Sequence, residues 1–311
     1  KARQKELKCG EEQVAVVAPE TEAPAAEKSA APDSGCAGIT TKIAGKARCL
    51  VPGDTFKDCD ICPEMVVVPA GSFTMGSPDG EEGRNGDEGP RHTVTFAKPF
   101  AVGKYEVSWA ELDECGKSQR CNTKKETEYL DDKGWGRGNR PVVNIPRPYM
   151  EQYLGFLSET TYETYRFLSE SEWEYAARAS TATRYHWGDD VGNNNAVCDG
   201  CGSNWDNKST APVGSFAGNA YGLHDMHGNA AEMTEDCSGG PSYDGAPIDG
   251  SALGPCSESP NIIRGGSWGG PPARIRSASR GDIWRVQAAP WLGFRVARTL
   301  VPVLAGPDAG I

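Results

Sequence analysis

Glycine and proline punctuate this chain too densely for long helices to persist, with 38 glycines and 22 prolines spread along 311 residues. Each glycine loosens the backbone, and each proline removes an amide donor. A loop-rich fold follows, whose core leans on aromatics, eight of them tryptophan, and on well-made turns. The first fifty residues read differently from the rest. Ala18-Pro19-Glu20, Ala23-Pro24-Ala25-Ala26-Glu27 and Ala31-Pro32-Asp33 offer too few large apolar groups to offset the entropy of ordering. The expected organisation is a flexible tether or docking tail over 1–50, one domain over 51–299, and a C-terminal tail over 300–311.

The formal net charge of -11 provides no clustered basic surface for phosphate contacts. It argues against a nucleic-acid partner and leaves carboxylates for a hard cation. The eleven cysteines fall mostly as near neighbours, Cys59/Cys62, Cys115/Cys121, Cys198/Cys201 and Cys237/Cys256, with Cys9, Cys36 and Cys49 in the leader. Such usage belongs to an oxidising compartment, so a periplasmic or secreted location is expected, with those four pairs as disulfide candidates. The odd total leaves one thiol for a partner, a lipid or nothing. Cys59/Cys62 and Cys198/Cys201 also match the donor number of a tetrathiolate zinc site, but they lie far apart in sequence and, as accessible thiols, would oxidise in that compartment. No apolar run approaches the roughly 20 residues of a membrane span. A chain that opens on Lys1 leaves room for an upstream signal or anchor.

Period-two patterning predicts strands over 64–70, 71–76, 92–96 and 100–107, with an acidic, glycine-rich surface loop over 77–89. Helices are predicted over 149–160 and 169–180, the second opened by the capping-box pattern Ser169-Glu-Ser-Glu172. Strand-like pieces return at 262–268 and 293–298.

Six ordered segments carry a family likeness: Met65-Val-Val-Val-Pro-Ala-Gly-Ser-Phe-Thr-Met-Gly-Ser77, Asn139-Arg-Pro-Val-Val-Asn144, Arg166-Phe-Leu-Ser-Glu-Ser-Glu-Trp-Glu-Tyr-Ala-Ala-Arg178, Asn219-Ala-Tyr-Gly-Leu-His-Asp-Met-His-Gly-Asn-Ala-Ala-Glu232, Arg264-Gly-Gly-Ser-Trp268 and Gly293-Phe-Arg-Val-Ala-Arg298. In this order they resemble the signature segments of the formylglycine-generating-enzyme (sulfatase-modifying-factor) family. The resemblance implies an α+β fold related to C-type lectins, loop-rich with little regular secondary structure, and bound Ca2+.

Asp225 and Glu232 place two carboxylates on a turn in which Gly228 lets the backbone present carbonyls, the mixed oxygen set calcium takes. By resemblance, the ligands are the side chains of Asp225 and Glu232 and the carbonyls of Gly228 and Ala230. Asp225 stands where the family has a neutral Asn, which strengthens the attraction for a cation. The alternative is a turn whose Glu232 merely accepts backbone hydrogen bonds. The same resemblance implies a second site from Asn195 with the Ala196 carbonyl, and Asp206 with the Asn207 carbonyl.

The family's catalytic copper is held by two cysteines after the Gly-Gly-Ser-aromatic segment, soft thiolates being the ligands that select Cu(I). Here that stretch reads Gly265-Gly-Ser-Trp-Gly-Gly-Pro-Pro-Ala-Arg-Ile-Arg276, with Gly270 about where the first thiolate belongs and no cysteine after Cys256. Formylglycine formation is therefore not expected. His224 and His227 flank the calcium turn, but their spacing matches no known iron-ligand pattern, and surface histidines are the ordinary reading. Trp268, Arg274, Arg276, Arg280, Trp284, Trp291 and Arg295 fall where catalytic relatives line a substrate groove, and Arg and Trp dominate protein-binding hot spots. The competing reading has Trp268 and Phe294 in the core and the arginines paired with carboxylates. The function expected is a non-catalytic, calcium-stabilised accessory or structural module that binds a protein partner in an extracytoplasmic complex. The alternative is an extracytoplasmic oxidase of the same family with an unrecognised metal site.

Overall fold

The computed structural model describes residues 36–123, 129–240, 242–254, 256 and 259–303. Residues 1–35 of the expected tether and 304–311 of the expected tail lie outside the described residues. The folded part starts earlier than residue 51. Strands β1 (Ile39–Ile43) and β2 (Lys46–Leu50) pair as an antiparallel hairpin, stapled by a Cys36–Cys49 disulfide. The far end of the chain docks on this hairpin: Leu300 is buried, the Val303 amide donates to the Thr40 carbonyl, and the Thr41 hydroxyl donates to the Val301 carbonyl. Composition averaged over the first fifty residues hides this hairpin behind the Ala/Pro/Glu stretch that precedes it.

The chain continues through β3 (Thr55–Phe56), β4 (Met65–Val68), β5 (Gly71–Met75), β6 (His92–Phe96) and β7 (Phe100–Gly103). Next come α1 (Trp109–Lys117), α2 (Arg147–Thr161), β8 (Tyr165–Arg166) and α3 (Glu170–Arg178). The last elements are β9 (Ala231–Cys237), β10 (Asn261–Arg264), β11 (Arg280–Ile283), β12 (Leu292–Phe294) and β13 (Ala297–Arg298). One antiparallel sheet runs β3-β4-β7-β13-β8 and a second runs β11-β10-β9-β12, with β12 parallel to β9; β5 and β6 form a separate hairpin. This is an α+β arrangement in which most of the chain between α3 and β9 is turn and loop.

Local chemistry explains the helices. In α2, Met150, Tyr153, Leu154 and Leu157 are buried at helical spacing on one face. Helix α3 opens on the expected capping box, with the Ser169 hydroxyl accepting from the Glu172 amide and the Glu172 carboxylate accepting from the Ser169 amide. All nine residues of α3 are buried, so it is a core helix with charged side chains inside the protein. Helix α1 is an addition to the expected elements. Its own capping box, Ser108 with Glu111, follows directly on a strand-like run.

Two strand boundaries move in ways that build the site. The expected strand over 100–107 ends at Gly103, because the Lys104 amide turns to the Glu64 carbonyl and the Val107 amide to the Phe294 carbonyl. The expected strand over 293–298 divides into β12 in one sheet and β13 in the other. Arg295 sits at the crossing between the two sheets.

Candidate cation turn and aromatic cleft

The loop from His224 to Glu232 is fixed from several directions. The His224 amide donates to the Lys104 carbonyl, Gly228 to Gly265, Asn229 to Val197 and Ala231 to Trp291. Gly228 has φ +86°, and a Cβ there would lie 2.1 Å from the Val197 carbonyl oxygen, so only glycine fits this crossing. Asp225 is buried with φ +57°, and its carboxylate accepts from the Gly214 amide at 2.5 Å. Glu232 projects from β9 and is held by the fully buried Arg295, whose Nη2 donates to Oε1 at 2.7 Å and whose Nε donates to both oxygens at 3.0 and 3.1 Å. Trp173 of α3 adds an indole N–H to Glu232 Oε2 at 2.7 Å.

A third acid joins them. Glu106, 1% exposed, accepts from the Ala230 amide through Oε1 at 3.4 Å, while its Oε2 has no hydrogen-bond partner. Burial, then the neighbouring charge of Asp225, push the Glu106 carboxyl well above the usual carboxylate range. Burial likewise raises Asp225 to about 6, against the Gly214 amide and the charges of Arg295 and His224. Glu106, Asp225 and Glu232 lie around the guanidinium of Arg295, so ionising all three would leave two negative charges uncompensated unless a cation joined them. These oxygen donors fit a hard divalent cation, whose charge would offset that repulsion. Among the described residues, no three His, Cys, Asp or Glu side chains converge as a metal-binding group. A cation at this turn would therefore draw on backbone carbonyls as well as carboxylates. Sequence reading missed Glu106; the only signal was one acid inside the otherwise apolar and aromatic run Tyr105-Glu106-Val107.

The second expected cation set is arranged differently. Asp206 caps its own turn, accepting from the Gly202 amide at 2.5 Å and from the Ser203 hydroxyl. The Asn195 amide group donates to the Val191 carbonyl, and the Asn207 backbone amide to the Trp268 carbonyl. Ala196 is buried beside Cys198 and Cys201.

Beyond the first turn lies a cleft of about 530 Å³, lined by Ile263, Trp268, Gly269, Gly270, Pro290 and Trp291 among others. The Trp268 indole donates to the Pro290 carbonyl at 3.1 Å and meets Trp135 edge-on. Gly266 has φ +64° with the Arg274 carbonyl 2.6 Å from where a Cβ would sit, which fixes the bend beneath Trp268. Of the seven expected groove residues, Trp268, Arg274, Arg280 and Trp291 line this cleft. Arg276 and Arg295 do not, because each is fully buried against carboxylates, Arg276 on Glu81 and Glu88 and Arg295 on Glu232. Arg280 borders the cleft while bonding Glu170 at 2.6 and 3.0 Å, and Trp284 is half-exposed outside the lining.

All four expected cysteine pairs are disulfides: Cys59 with Cys62, Cys115 with Cys121, Cys198 with Cys201 and Cys237 with Cys256. Neither CxxC pair therefore has thiols for zinc. Most of these sulfurs sit in the protein interior. Cys62 is 1% exposed and Cys121 is 6% exposed, and both, with the buried Cys115, pack into the main hydrophobic core beside residues such as Phe56 and Leu112. The physical reason is that a bridged sulfur has neither a thiol proton nor a charge to solvate, so it packs as an apolar group. Cys62 and Cys121 thus act as core staples and form no surface site.

The Cys198–Cys201 bridge lies against Ile275, and the Asp199 amide between its cysteines donates to the Gly270 carbonyl at 2.8 Å. His227 is fully committed: Nε2 accepts from the His186 amide at 3.2 Å, which places the proton on Nδ1, and Nδ1 donates to the Ile275 carbonyl at 2.7 Å. Burial holds His227 neutral down to about 3 and His186 down to about 4.

Two sheets stitched by a buried arginine, a dominant loop content and an acid-rich turn define a loop-rich α+β domain of the formylglycine-generating-enzyme type. Residues 52–300 match the sulfatase-modifying factor enzyme 1-like domain, and the chain belongs to that family. It resembles the solved structure of PvdO from Pseudomonas aeruginosa with a TM-score of 0.73 and 43% identity, over 81% of this chain and 100% of that one. The formylglycine-generating enzyme of Mycobacterium tuberculosis is 27% identical over 232 residues, 55% of this chain and 73% of that protein. A protein of Chlamydia caviae named serine/threonine-protein kinase pkn1 is 29% identical over 227 residues, 70% of this chain and 35% of the kinase. The chain thus spans little more than a third of the kinase-named relatives it matches.

Proposed function

We propose that this chain is a non-catalytic, calcium-stabilised binding module, exported from the cytoplasm, that serves as an accessory subunit by gripping a segment of a partner protein. The cleft carries this reading: its walls are aromatic and apolar, Gly270 lines it, and no cysteine follows Cys256. Five disulfides support an oxidising compartment. The acids gathered at the first turn, with the buried Glu106 Oε2 unpartnered, support calcium held by Asp225 and the Gly228 and Ala230 carbonyls, with Glu232 alongside. Asn195, Ala196, Asp206 and Asn207 are the candidates for a second ion. A domain of this kind forming about a third of kinase-named relatives supports a modular role.

Native purification with elemental analysis and identification of co-purifying chains tests the reading. The expected result is calcium near one or two per chain, no stoichiometric copper or iron, and a partner lost in a folded Trp268→Ala/Trp291→Ala variant. Stoichiometric copper or iron would overturn it in favour of an extracytoplasmic oxidase.

A further inference from the structure

We infer that Glu106, at the junction between β7 and α1, supplies the second carboxylate of the cation site at the 225–232 turn, the place the family resemblance gives to Glu232. The inference rests on the calcium reading above and changes which residues carry it.

Acceptor capacity decides between the two acids. Each carboxylate oxygen offers two lone pairs. Three N–H donors that belong to the fold already engage Glu232: Arg295 Nη2 on Oε1, Arg295 Nε shared between the two oxygens, and the Trp173 indole on Oε2. Glu106 is the reverse. Its Oε2 is buried without any partner, and its one bond, to the Ala230 amide, is long. An orphaned carboxylate oxygen costs stability unless something binds it. The backbone holds Glu106 in this position: on one side the Val107 amide donates to the Phe294 carbonyl, and on the other Lys104 accepts from the His224 amide. A cation shared by Glu106 and Asp225 would join the N-terminal half of the domain to the turn before β9. Glu232 would be left to its guanidinium, and only two acidic side chains would be needed in the shell.

Calcium titrations of the chelator-treated full chain, followed by isothermal calorimetry and by thermal unfolding, compare wild type, Glu106→Gln and Asp225→Asn, with magnesium as a control ion. The expected result is a calcium-dependent rise in melting temperature for wild type, with apparent Kd weakened at least 100-fold in Glu106→Gln. Without calcium, Glu106→Gln should melt no lower than wild type, since the amide keeps an acceptor for the Ala230 N–H and Oε2 has no partner to lose; a purely structural Glu106 would give the opposite. If Glu106→Gln binds calcium as wild type does while Asp225→Asn does not, the assignment of Glu106 is overturned and calcium at the turn stands. If wild type neither binds calcium nor contains it as purified, both fall.

Discussion

Replacing Arg276 by methionine should be among the most damaging single changes in the protein, because it keeps the apolar stem and deletes only the charge. Arg276 donates through Nη2 to Glu88 Oε1 at 2.6 Å and through Nη1 to Glu88 Oε2 at 3.0 Å, and it also pairs with Glu81. Its remaining donors hold the Gly83 carbonyl at 2.6 Å and the Ala273 carbonyl at 3.0 Å, pinning the acidic loop over 77–90. Arg276 and Glu88 are both fully buried, so the variant strands a carboxylate that keeps only the Ser77 hydroxyl and the Asn85 amide. Breaking such a pair costs about 3–5 kcal/mol, a fall of about 10 °C in Tm for a domain of this size. Urea unfolding monitored by tryptophan fluorescence measures it. The double variant Arg276→Met/Glu88→Gln should recover more than about 1 kcal/mol through the coupling between neighbours. Burial raises the Glu88 pKa, but the Arg276, Ser77 and Asn85 hydrogen bonds outweigh it and hold the carboxyl below its ordinary value of 4.5. The pair's stabilisation is therefore present above that pH and is lost as pH falls below it, so wild type and variant should converge on acidification. A cost below about 1 kcal/mol, or strict additivity in the double variant, would refute the reasoning.

Ser169→Ala removes the cap of α3 and also the donor to the Gly250 carbonyl at 2.8 Å, so it should cost about 1–2 kcal/mol in urea unfolding. Asp236 is raised to about 7 by burial, with the neighbouring Glu170 charge adding to it, against hydrogen bonds from the Leu253 and Glu170 amides. Its folded-state proton contributes stability that is fully present below the unfolded value of 3.8 and is lost as pH rises through about 7. Wild type should accordingly lose more Tm between pH 5 and 8 than Asp236→Asn does; equal slopes would contradict this.

What could be read in advance was local. The Ser169 to Glu172 capping box, the strands around Val66 and Val94, and the four neighbouring cysteine pairs each depend on residues close in sequence, and the structure has all of them. Spacing pairs Cys59 with Cys62 and Cys115 with Cys121, but it does not say that Cys62 and Cys121 end up inside the core. The hairpin over 39–50, ahead of the expected domain, was not legible because it meets residues more than 250 positions away, Val301 and Val303. Which arginines line the cleft and which pair with carboxylates was equally hidden. In sequence, Arg274 and Arg276 are near neighbours in a groove-like stretch, yet one lines the cleft and the other is spent on Glu81 and Glu88.

Composition, turn residues and six ordered motifs by themselves determined the fold family, the disulfide-rich character and the acid-bearing turn between Asp225 and Glu232. Which acid beside that turn keeps an unpartnered oxygen was decided only by the tertiary structure. Chain crossing brings Arg295 and Trp173 onto Glu232 and leaves Glu106 Oε2 unpartnered, across separations of 63, 59 and, for the Glu106–Ala230 contact, 124 residues. Hydrogen-bond capacity is consumed by whichever groups meet in space, and local patterning carries no record of those meetings.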